Sequence, residues 1–324
     1  RAAAARPCFP ATAPYRRAMT FSLFTIQMLN GLQLGVLLFM LSAGLTLVFG
    51  IMNFVNLAHG SLYMMGAYFA AAAYVRSESF LLAAVVGIAG SAALGFAMER
   101  IVAARLYARD HLDQVLATFG LILFFNEMAR WIWGASPYYM NVPEALSGTI
   151  SLLGISYSTY RFAIILVGLL VALGCYLLIN KTRVGMLIRA GSSNPTIVAA
   201  MGVNIRMLNA AIFALGAALA GVAGLMSGPI LSVQPGMGEP ILITAMIVIV
   251  IGGIGSVRGA FYAALFVGLL DTAGRAFLPL LLREFLDRST AQAAGPALAS
   301  MLICIFMALV LALKPDGLFP VRNR

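Results

Sequence analysis

The chain alternates between long apolar runs and short charged connectors, with no period-two alternation inside the runs. Apolar stretches fall near residues 22–49, 60–75, 80–99, 114–133, 160–180, 207–228, 240–252, 259–278 and 296–313. A membrane-crossing helix needs about 20 mostly apolar residues, and inside hydrocarbon only helices or closed barrels satisfy their own backbone. Continuous runs select helices, so the pattern predicts an all-α integral membrane bundle of about 8 to 9 transmembrane helices. The 22–58 region exceeds one straight span, which leaves open an additional crossing or a re-entrant turn there.

One connector differs from the others. Residues 182–203, TRVGMLIRAGSSNPTIVAAMGV, carry Arg183 and Arg189 and are flanked by Lys181 and Arg206. Asn194-Pro195 predicts the start of a short helix, with Asn as cap and Pro at the first helical position, followed by an apolar run to Gly202. Two readings stand: the cations of this 181–206 loop only fix orientation, or the loop meets a soluble partner.

With that loop inside, alternation puts Arg100, Arg105, Arg109, Arg258, Lys314, Arg322 and Arg324 on its side. Arg76, Arg130, Arg161, Arg275, Arg283 and Arg288 fall on the other, which is the bias expected of cytoplasmic loops. Nine crossings then put the N-terminus outside. Residues 1–18 lack acidic side chains and an apolar core segment, so they read as an upstream extension or a disordered N-terminus and not as a signal peptide. Met19 is the expected natural start, and 19–324 a single transmembrane domain.

Composition sharpens this picture. Of 324 residues, 62% are hydrophobic and 10% charged, against roughly 25% charged in soluble domains. The net charge of +10 is scattered through short loops without a basic face, which argues against a nucleic-acid partner. Cys8, Cys175 and Cys304 lie far apart and imply neither disulfide nor metal. No G-x-x-x-x-G-K-[ST], H-E-x-x-H or G-x-S-x-G run occurs, so no catalytic residue, nucleotide site or cofactor is expected.

Two interrupted segments stand out, 50–60 (GIMNFVNLAHG) and 252–259 (GGIGSVRG). Broken hydrophobic segments in both halves of a chain point to a transport path, since unwound backbone at membrane depth must be buried in protein or line a cavity. Asn53, Asn56 and His59 are candidates for a gate or path lining, or for satisfying broken helix ends. Gly252, Gly253 and Gly255 permit close backbone approach to a substrate, or close helix packing. Small residues four apart, Gly31 and Gly35, Ala217 and Gly221, Gly224 and Gly228, signal a tightly packed bundle. Asp271 with Arg275 and Glu127 with Arg130 are spaced to pair along their own helices.

The run 44–68, GLTLVFGIMNFVNLAHGSLYMMGAY, resembles the N-terminal signature of the branched-chain amino acid permease family of bacterial ABC importers, in its shorter permease type. Residues 114–121 with their LATFGL core, 182–203, 252–268 and the closing KPDGLF agree with it. The resemblance implies a permease of the bacterial inner membrane. Its implied partners are a second, longer permease, two cytoplasmic ATPase subunits and a periplasmic substrate-binding protein. It also implies that 182–203 is the segment docking on the ATPase, through Arg183, Gly185, Arg189, Ala190, Asn194, Ala199 and Gly202. The stretch 192–196 is less acidic than is common in that family.

Three functions are therefore weighed: an importer permease, an intramembrane enzyme and a passive channel. The first is the reading to test, with aliphatic amino acids as the leading substrate and urea, short amides or other amino acids as alternatives.

Overall fold

The computed structural model describes residues 13–152 and 155–319. Arg322, Arg324 and most of the predicted 1–18 extension lie outside the described residues. Each predicted apolar stretch lies on a helix. They are α1 (Ala13–Met52), α2 (His59–Ser77), α3 (Phe80–Met98), α5 (His111–Trp133), α6 (Thr159–Lys181), α9 (Ile205–Ser227), α10 (Gly238–Gly252), α11 (Val257–Leu282) and α12 (Arg288–Leu313). Seven helices among the described residues are long and apolar enough to cross a membrane. The 15-residue α10 is too short, and α2 is not among the seven. The expected count of 8 to 9 is thus met only in part.

No extra crossing lies within 22–58, because α1 is one unbroken helix of 40 residues. It ends where Asn53 takes a left-handed φ of 49° and donates its N–H to the Phe49 carbonyl at 2.9 Å. The chain then runs without helix through 53–58 before α2 starts. Helix α3 widens into a π-turn (Glu99–Ala103) and the short α4 (Ala104–Leu106). Between α5 and α6, β1 (Thr149–Leu152) and β2 (Ile155–Ser158) form an antiparallel hairpin, Thr149 opposite Ser158.

α1 and α9 form the centre, with most of their apolar windows buried, while α3, α5, α6, α11 and α12 bury only about a fifth of theirs. In a membrane such exposed apolar faces meet lipid or another subunit, so small residues and hydrogen bonds must hold the helices together. A β-carbon at Gly31 or Gly35 would lie 2.9 Å from the Leu269 or Leu265 Cα of α11, so both glycines serve the predicted close packing. Ser91 Oγ donates to the Leu62 and Ala217 carbonyls at 3.1 and 2.7 Å, tying α3 to α2 and α9.

The end of α1, the start of α11 and the C-terminal segment gather at one end of the bundle. Gly50 packs against Gly255, and Leu318 and Phe319 donate their N–H groups to the Ile251 and Gly252 carbonyls at 2.9 and 3.1 Å. Phe24 meets Phe277 toward the opposite end, with centroids 6.1 Å apart. The described N- and C-terminal segments therefore lie at opposite ends, as an odd number of crossings requires.

Candidate functional site

The 53–58 break is held by a side chain 59 residues away. Gln114, buried at the start of α5, accepts the Val55 N–H at 3.2 Å and donates to the Leu106 and Arg109 carbonyls at 3.3 and 3.2 Å. Phe54 is fully buried edge-on against Tyr107, with centroids 5.5 Å apart. Tyr107 donates to Glu99 Oε1 at 3.0 Å. Burial pushes the Tyr107 phenol well above its ordinary pKa, and the neighbouring Glu99 charge adds to the shift, so the hydroxyl stays a donor.

Beyond the break, α2 and α10 meet at their N-termini. A β-carbon on Gly60 would lie 2.5 Å from the Gly238 carbonyl oxygen, so only glycine lets the two starts cross here. Neither helix has a side-chain cap; Ala58 and Met237 hold the cap positions. Helix starts carry unpaired N–H groups and partial positive charge.

Two cavities adjoin the break, and Phe49 and Ile254 line both. The smaller, about 60 Å³, is walled by Leu45, Val55, Met246, Ile249 and Val250, with Asn56 as its one polar residue. Asn56 is buried, and neither amide atom has a hydrogen-bond partner. The larger, about 1040 Å³, lies between α1, α6 (Thr159–Lys181), α11 and a helix α7 (Arg183–Ser193). Asn53, Gly255 and Arg189 line it.

The predicted path residues are therefore not one cluster. Asn53 and Gly255 share the larger cavity, and Asn56 lines the smaller one. His59 lines neither. It is fully buried against Gly44, and neither ring nitrogen makes a hydrogen bond of good geometry, although the Leu41 carbonyl is close. Gly252 and Gly253 are buried, Gly252 against Gly259 and Gly253 (φ 100°) beneath the C-terminal segment, packed on Asp316 and Phe319.

Residues 182–203 are not the loop the sequence predicts but two helices, α7 and α8 (Pro195–Ala200). The predicted cap is present: Asn194 Oδ1 accepts the Ile197 N–H at 3.1 Å with Pro195 in the first turn. Thr182 caps α7 through the Gly185 N–H at 3.1 Å. Arg183, Arg189, Asn194, Ala199 and Gly202 are exposed, and Ala190 is half-buried. Gly185 is buried, where a β-carbon would run into the Leu178 and Ile179 carbonyls, so it packs α7 onto α6 and offers nothing to a partner. Ile197 and Met201 are 59% and 79% exposed, an apolar pair at helical spacing.

Among features sequence reasoning passed over, Gln114 had only its place in a family block, and Glu99 and Tyr107 gave no signal. The exposed Ile197 and Met201 were visible in the apolar run before Gly202. The ion pairs form as their spacing predicts, Arg275 to Asp271 and Arg130 to Glu127, each at 2.8 Å. Among the described residues no three His, Cys, Asp or Glu side chains group as a metal site.

Broken helices, uncapped helix starts inside the bundle and an exposed helical elbow are features of a transporter, and comparison with known proteins agrees. No solved structure matches the chain. The branched-chain amino acid transport permease BraD of Pseudomonas aeruginosa is 30% identical over 263 residues, covering 76% of this chain and 85% of the relative. LivH of Escherichia coli is 28% identical over 272 residues, covering 80% and 88%. A probable LivH of Methanocaldococcus jannaschii is 27% identical over 248 residues, covering 73% and 76%. Residues 27–311 match the family described as branched-chain amino acid transport system / permease component, and the chain belongs to that family of multi-pass membrane permeases.

Proposed function

We propose that this chain is the permease subunit of an ATP-driven importer of branched-chain amino acids in the bacterial inner membrane. Nine helical passes make up the single domain 19–324, with α2 and α10 as partial spans that begin within the protein. The end bearing α7 and α8 faces the cytoplasm. The chain has no phosphate-binding loop, so two separate ATPase subunits supply the energy. A second permease completes the path, and a periplasmic binding protein delivers substrate to the end bearing the β1–β2 hairpin.

The small cavity beside Asn56 carries the substrate reading. Its aliphatic walls suit a leucine, isoleucine or valine side chain; the unpartnered Asn56 amide is buried behind an apolar cavity surface and reaches the substrate's carboxylate or ammonium group by turning into the cavity. The uncapped start of α2 adds positive potential nearby without a charged side chain. Asn53, His59, Gly252, Gly253 and Gly255 belong to the gate by shaping the break and the loop opposite it. Coupling runs through the exposed Arg183, Arg189, Asn194, Ala199 and Gly202, with Ala190 and the buried Gly185 holding their helix in place.

Uptake by the complete transporter in vesicles tests this directly. ATP-dependent accumulation of leucine in preference to urea is expected. Accumulation without ATP hydrolysis, or selective uptake of urea, would overturn the assignment.

A further inference from the structure

The larger cavity is amphipathic along its length. Its apolar part is formed by Phe39, Leu47, Leu169, Ala172, Leu173 and Phe261. Leu169 and Leu173 are 42% and 54% exposed, so this side opens outward from the bundle. Arg189 and Arg258 line it at the end of the bundle where α7 and the start of α11 lie, beside Asn53, Asn180, Ser192 and Ser256. On α1 the lining runs from Phe39 to Ile51, roughly 18 Å of helix at 1.5 Å per residue.

The charge of this cavity is one-sided. No acidic side chain lines it, and neither arginine has a carboxylate partner among the described residues. Arg258 lies over the Tyr176 ring, 5.2 Å from its centroid, and Arg189 reaches only the Ile179 carbonyl. Two cations held at the mouth of a greasy cleft complement an anion joined to a long apolar chain. Basic pockets between membrane helices on the cytoplasmic side recognise acidic lipid headgroups on these grounds. The start of α11, where Ser256, Val257 and Arg258 line the same mouth, adds its positive end.

We propose that this cleft binds one anionic phospholipid, its phosphate between Arg189 and Arg258 and an acyl chain along α1, α6 and α11. The lipid then touches the break through Asn53 and the α7 helix through Arg189 and Ser192, and stands as a wedge between them.

The test uses the complete transporter isolated through a tag on this chain, washed in detergent, with retained lipid quantified by mass spectrometry. Phosphatidylglycerol is expected to stay bound near one per copy of this chain, while phosphatidylethanolamine washes away. Arg189→Gln with Arg258→Gln is expected to lower retention at least five-fold. Ala172→Trp, which fills the apolar part and leaves both arginines, is expected to do the same in a transporter of unchanged elution volume. Equal retention of the two lipids by the unaltered transporter would overturn the proposal, as would unchanged retention in both variants. Displacement by millimolar inorganic phosphate as readily as by short-chain phosphatidylglycerol would show a simple anion site and overturn it too.

Discussion

Replacing Asn56 by Leu separates a functional amide from a structural one. Asn56 is 2% exposed, and its amide nitrogen and oxygen both lack partners. A buried amide without hydrogen bonds costs about 1–3 kcal/mol; Leu repeats the branched shape with no polar group, and its greater bulk has the adjoining cavity of about 60 Å³ to enter. Asn56→Leu should therefore stabilise the protein by about 1–3 kcal/mol, raising its thermal midpoint by roughly 2 °C per kcal/mol. If the amide serves a charged group of the substrate, the same change removes a hydrogen bond worth about 1.5–3 kcal/mol, or roughly 10- to 150-fold in uptake efficiency. Uptake of radiolabelled leucine and a fluorescence-detected melting curve on one preparation read both effects. Tyr68→Phe is the control, since the Tyr68 hydroxyl is also buried without a partner but lines neither cavity. It should raise stability and leave uptake unchanged. A less stable Asn56→Leu protein with normal uptake would refute the reasoning, because it would make the amide a structural group.

Gly202→Pro should abolish ATP-coupled uptake while membrane insertion persists. Gly202 has φ 86° and donates its N–H to the Ala199 carbonyl at 3.0 Å, whereas proline fixes φ near −65° and has no N–H; normal uptake by that variant would contradict the coupling role. Ile197→Asp with Met201→Asp should cut co-purification of the ATPase subunits at least ten-fold without moving the melting midpoint, since both side chains are exposed. Gln114→Leu should destabilise by about 1–3 kcal/mol, leaving the half-buried Val55 amide and two carbonyls short of a partner, which thermal melting will measure.

Membrane helices are legible in a sequence because the bilayer demands long apolar runs, and all nine stretches lie on helices. The Asn194-Pro195 cap was legible for a similarly local reason, since cap and helix lie within four residues. Helix α7 was missed although its signal was present: Thr182 stands at the cap, and Gly185, Ile188 and Gly191 recur every three residues on its buried face. The grouping of Asn53 with Asn56 assumed one shared surface. Past Met52 the backbone leaves the helix, and the two residues line different cavities whose walls share Phe49 and Ile254. Nothing in 252–253 announces that the C-terminal segment will pack on it, and nothing near Val55 announces Gln114, because both contacts are long-range.

The same contacts bear on how a push on α8 could reach the break. Helix α8 leads through the four-residue turn 201–204 into α9, whose first turn borders a cavity of about 180 Å³ lined by Ile51, Met52, Tyr107, Gly191, Ile205, Leu208 and Asn209. Packed protein interiors transmit displacement and resist it, so unfilled volume between elements is where relative motion costs least. A shift of α9 into this space presses on Tyr107, which holds Phe54 edge-on, and on Met52, the last residue of α1. Gln114 anchors the far side of the 53–58 segment. The break is therefore gripped between an element that can move and one that is pinned. To carry such a device from 1:99 to 99:1 takes about 5.5 kcal/mol of differential interaction. At about 25 cal/mol per Å² the exposed pair Ile197 and Met201 reaches that figure only if both are wholly uncovered in one state and wholly buried in the other, so the ATPase acts on α7 and α8 together, with the exposed arginines contributing to the same contact.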